Sequence, residues 1–61
     1  MKKTVCYYDF YMRDNNLFLE FWEEDTDGSR YYVGEVDCEN IREGFEIIER
    51  NKECGAIMKR W

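Results

Sequence analysis

Asp9, Glu20 and Glu35 are the residues of this chain best suited to chemistry, provided the fold brings them side by side. Neighbouring carboxylates receive cations. Each of the first two sits among aromatics two residues away: Tyr7 and Tyr11 around Asp9, Phe18 and Trp22 around Glu20. A guanidinium group binds carboxylates bidentately and stacks on aromatic rings, so this mixture suits an Arg or Lys supplied by a partner. Carboxylates alone could also take a hard metal ion, but no EF-hand spacing occurs and no metal site is expected.

Catalysis lacks its usual parts. The chain has no histidine, no recognisable nucleophile–base pair and no glycine-rich phosphate loop. Paired carboxylates can do acid–base work, yet 61 residues rarely build both a core and a water-excluding cleft. We therefore expect a non-enzymatic protein with no catalytic residue and no cofactor. Cys6, Cys38 and Cys54 are odd in number and include no CxxC pair, which writes neither a disulfide framework nor a zinc site. Cys6 reads as a small buried hydrophobe. Cys38 is expected to open a helix, where the helix N-terminus would favour a thiolate, though its role reads as structural.

The net charge of −5 and pI near 4.6 disfavour direct binding to nucleic acid or to an anionic membrane, because no basic stripe is present to displace counterions. They favour basic partners. The same charge also serves to keep an aromatic-rich protein in solution. Lys2-Lys3 precede no long apolar run, and Asp9 interrupts the segment, so neither a signal peptide nor a transmembrane helix is expected. Cysteine usage points to a reducing cytoplasm.

The elements that must position these residues follow from periodicity and turn chemistry. A single α+β domain over 1–61 is expected: a three-stranded antiparallel meander with one helix packed on one face. Strands fall at about Lys3–Met12, Leu17–Glu24 and Arg30–Asp37. Arg13-Asp14-Asn15-Asn16 and the Asp27-Gly28 pair supply the turns. Asp37 has the character of a helix N-cap, with Val36 and Ile41 as a hydrophobic staple. Ile41, Phe45, Ile48 and Lys52 then form the helical stripe, Gly44 lies on the apolar side, and Gly55 ends the helix. Residues 56–61 predict at most a short fourth strand.

Centring the turns on Asp14-Asn15 and Asp27-Gly28 fixes both registers, and the period of two then assigns every side chain to a face. Cys6, Tyr8, Phe10, Met12, Leu17, Leu19, Phe21, Gly34 and Val36 form the face for the helix, with Gly34 leaving room for a helix side chain. The other face pairs Tyr7 with Trp22 and Val33, Asp9 with Glu20 and Glu35, and Tyr11 with Phe18. Like charges opposite one another destabilise a sheet, so the row is either used by a partner or neutralised from within by Lys59 or Arg60.

This pattern predicts a small acidic interaction module. We expect an inhibitor or accessory factor of the phage or mobile-element type. It would engage a basic, nucleic-acid-handling protein through Asp9, Glu20, Glu35, Tyr7, Tyr11, Phe18 and Trp22. The alternative is a homodimeric regulatory or antitoxin-like βββα module whose sheet face is the dimer interface. Either way that face is apolar enough to predict self-association as a homodimer.

Overall fold

The computed structural model describes residues 4–61. It is α+β. Strands β1 (Val5–Arg13), β2 (Asn16–Glu24) and β3 (Arg30–Cys38) form an antiparallel meander. Helix α1 (Ile41–Glu53) follows, then β4 (Ile57–Arg60). The sheet order is β3-β2-β1-β4, with β4 parallel to β1. The short fourth strand is therefore present and completes a mixed sheet. The expected start of the first strand at Lys3 lies outside the described residues.

The first turn forms as its residues require. Asp14 and Asn15 take φ of 51° and 63°, left-handed values that Asp and Asn tolerate and that match the twist of a two-residue hairpin. Tyr7 pairs with Trp22, Asp9 with Glu20 and Tyr11 with Phe18, as the sequence predicts.

The second hairpin differs by one residue. Its loop closes through Asp25 N donating to Ser29 O at 2.7 Å and Gly28 N donating to Asp25 O at 3.0 Å. Asp27 Oδ1 accepts from the Ser29 amide and hydroxyl, at 2.9 and 2.6 Å, and these bonds hold the Asp27 carboxyl below its ordinary pKa. This wider loop pairs Glu24 with Arg30, whereas the distal half keeps Glu20 opposite Glu35. A bulge between the halves absorbs the mismatch. Trp22 consequently faces Tyr32, and Val33 is the unpaired residue rather than its partner.

Helix α1 starts later than the staple pattern suggests. Cys38 pairs with Leu17 at the end of β3, so neither Asp37 nor Cys38 begins the helix. Asn40 is the N-cap, its side chain accepting from the Glu43 amide at 2.9 Å. The Asn40–Glu43 spacing resembles a capping box. Gly55, at φ 98°, ends the helix as expected.

The core between helix and sheet is small. Leu19 and Ile48 are fully buried and Cys38 nearly so, with Tyr8, Phe10, Leu17, Phe21, Ile47 and Met58 packed around them. Gly44 decides how the helix sits. A Cβ there would fall on the Phe10 ring, 2.6 Å from Cζ, so the helix makes its closest approach where it has no side chain. That docking turns Ile47 and Ile48 inward and leaves Ile41 and Phe45 each 47% exposed. Phe45 flanks Phe10 at 5.4 Å between centroids and is not the buried centre of the stripe.

Candidate functional site

The face away from the helix carries the site. Asp9, Glu20 and Glu35 are aligned partners on β1, β2 and β3, so the predicted carboxylate row exists as a row. Neighbouring strands lie about 4.8 Å apart, which puts each acid beside the next. Asp9 also accepts its neighbour's amide, Phe10 N, at 2.9 Å.

Two arginines bracket this row. Arg13, at the end of β1, lies 4.7 Å over the Phe18 ring and 5.8 Å from the Tyr11 centroid. Its Nη2 reaches Glu35 Oε1 at 3.5 Å. Tyr11 stacks on Phe18 at 5.3 Å, and its hydroxyl donates to Glu35. Arg30, from the start of β3, lies 3.7 Å over the Tyr7 ring and 4.6 Å from Trp61. Trp61 in turn packs on Trp22 at 4.7 Å and edge-on to Tyr7 at 6.1 Å.

These contacts revise three expectations. The internal cation of the row is Arg13, neither Lys59 nor Arg60, because β4 runs beside β1 at the opposite end of the face and places Lys59 opposite Tyr7. Tyr7 is not an open wall. It is 7% exposed, covered by Arg30 and Trp61, and its hydroxyl donates to Glu24 at 3.1 Å. Cys38 is buried at a strand end, and burial first, then Glu43 and Asp37, pushes its thiol up, the reverse of a helix-activated thiolate.

The surface left around the row comprises Tyr11, Phe18 and the half-buried Trp22, with Tyr32 and Trp61 about half exposed beside it. Asp9 and Glu20 form no ion pair among the described residues; those present are Arg13–Glu35 and Lys52–Glu49. Nor do any three His, Cys, Asp or Glu side chains of the described residues converge as metal ligands. Arg13 and Arg30 were legible in principle. Arg13 shares the parity of Asp9 and Tyr11, and Arg30 joins the face once the bulge is counted.

No family model, curated protein or solved structure matches this chain. The site must be read from its own chemistry. Among the described residues no helix is long and apolar enough to cross a membrane.

Proposed function

We propose that the chain is a non-enzymatic interaction module that binds a basic protein surface through Asp9, Glu20 and Glu35, with Tyr11, Phe18 and Trp22 as aromatic walls. One observation carries this reading: the protein's own Arg13 sits stacked on Phe18 and paired with Glu35. The face thus holds a guanidinium in the manner required of a partner, and Glu20 and Asp9 offer carboxylates one and two strands further in. Tyr7, covered by Arg30 and Trp61, lies beside Trp22 on the neighbouring strand and is not itself a wall.

A basic groove that handles nucleic acid is the surface this acidic face would fit, which makes the chain an inhibitor or accessory factor of the phage or mobile-element kind. The test is affinity capture with the wild type and the Asp9→Asn/Glu20→Gln variant at low and high salt. Salt-sensitive capture of a nucleic-acid-handling protein, lost in the variant, is expected. Capture unaffected by the variant would defeat the reading. Self-association is the second reading, favoured by the exposed Tyr32 and Trp61 next to Trp22. A sedimenting dimer that survives high salt, with no such partner captured, would select it.

A further inference from the structure

Strand β3 is an outer strand of the sheet, and no strand of the described residues pairs with its free side. The other outer strand, β4, is four residues long and includes Lys59-Arg60; shortness and positive charge both discourage pairing with further strands. β3 is not short, and its one basic residue, Arg30, stands at its first position and is engaged over the Tyr7 ring, so residues 34–38 beyond the bulge have neither protection. The strand runs for nine residues without proline or lysine, and Tyr31, Tyr32, Val33 and Val36 are 38–52% exposed along it.

On the helix side of this edge something is missing. A Cβ added at Gly34 would meet nothing within 4 Å, so no helix side chain fills the space opposite Phe21. The gap belongs to a mainly apolar groove of about 250 Å³ lined by Cys6, Phe21, Val33, Gly34, Val36 and Met58, with Glu23, Glu35 and Asn51 also bordering it. On the other side of the same strand stand Glu35 and Asp37, and Glu35 is the outer member of the carboxylate row.

An added strand would alternate between these two environments. Its side chains on one face would enter the apolar groove, and those on the other would meet Glu35 and Asp37. A second copy of this chain fits poorly: pairing residues 34–38 antiparallel with themselves sets Glu35 or Asp37 opposite an acid of the other copy. A strand alternating Arg or Lys with aliphatic residues fits both sides.

We propose that β3 accepts such a strand from a basic partner, which extends the sheet by β-augmentation. The proposal rests on the basic-partner reading and adds where the partner docks and in what conformation. A basic residue opposite Glu35 would stand as the fourth member of the row.

The test uses the whole chain and two heptapeptides of one composition, Arg-Val-Arg-Val-Arg-Val-Arg and Arg-Arg-Val-Val-Val-Arg-Arg. Amide chemical shifts and hydrogen exchange are followed at low salt. The alternating peptide should bind at least roughly tenfold more tightly than the block peptide, since main-chain pairing gives affinity and alternate pockets give specificity. It should also slow exchange along residues 33–38. Gly34→Val, whose Cβ would meet nothing within 4 Å and which suits a strand, should raise the melting temperature while weakening the alternating peptide. Equal affinity of the two peptides, with shifts centred on Asp9 and Glu20, would overturn strand addition and leave the basic-partner reading standing. Binding of neither peptide would overturn both.

Discussion

On the helix side of the sheet, Leu19 and Ile48 are excluded from water by Phe10, Phe21, Ile47 and Met58, and no charge takes part. On the other side Tyr7 is buried by Arg30 and Trp61, and Glu35 is held by Arg13 and Tyr11. The first arrangement depends on apolar area and close fit, which salt hardly alters. The second depends on cations over rings and beside carboxylates, which weaken with ionic strength and could be exchanged for a partner's groups. In the proposed reading, the chain keeps its stability on one face and its binding chemistry on the other.

The sharpest way to break this comparison is Ile48→Ala. Removing a fully buried aliphatic side chain should cost about 2–5 kcal/mol, enough to unfold much of so small a domain. Phe45→Ala, with its ring half in water, should cost only about 1–2 kcal/mol. Urea melts of the two variants decide it, and a larger loss at Phe45 would mean that the helix is seated differently.

An alkaline series sharpens the same face. Burial raises the Cys38 thiol above its usual 9.0, so the folded chain holds that proton more tightly than the unfolded one. Below that value both states are protonated and stability is unaffected. Above it the unfolded chain loses the proton first, so stability falls as pH rises. Urea midpoints measured from about pH 8 to about pH 10.5 should decline more steeply for the wild type than for Cys38→Ala. Parallel declines would show that the thiol is not desolvated.

The smallest effect belongs to the other face. Arg13→Ala should cost at most about 1 kcal/mol, because its guanidinium pair is largely in water, and high salt should shrink that difference. A loss comparable to Ile48→Ala, or one indifferent to salt, would erase the distinction between the faces.

Much of this was legible from residue types and spacing. Asp14-Asn15 dictates a two-residue turn, and that turn aligns Asp9 with Glu20 without further information. The second register was half legible. Asp27-Gly28 marks a turn but not its width, which depends on how Asp25 and Ser29 bond, so the one-residue bulge at Val33 and the placement of Tyr32 were hidden. The helix stripe misled for a related reason: Phe45 is the larger apolar side chain, but the close approach at Gly44 decides which residues face the sheet. Trp61 and Arg30 were missed as covers of Tyr7 because both reach across strands, and strand alternation describes only which face a residue occupies.

The pairing of β4 with β1 bears on the order in which the molecule assembles. The two hairpins close short loops, but Ile57 meets Val5 only after most of the chain has been laid down between them. Non-local parallel pairing of this kind bears the largest loop entropy and is expected to form late. Trp61, whose amide bonds to Tyr8 O at 2.9 Å, arrives with that strand. The cover over Tyr7 is therefore expected to be the last part of the protein set in place and among the first to open, without the hairpins having to come apart.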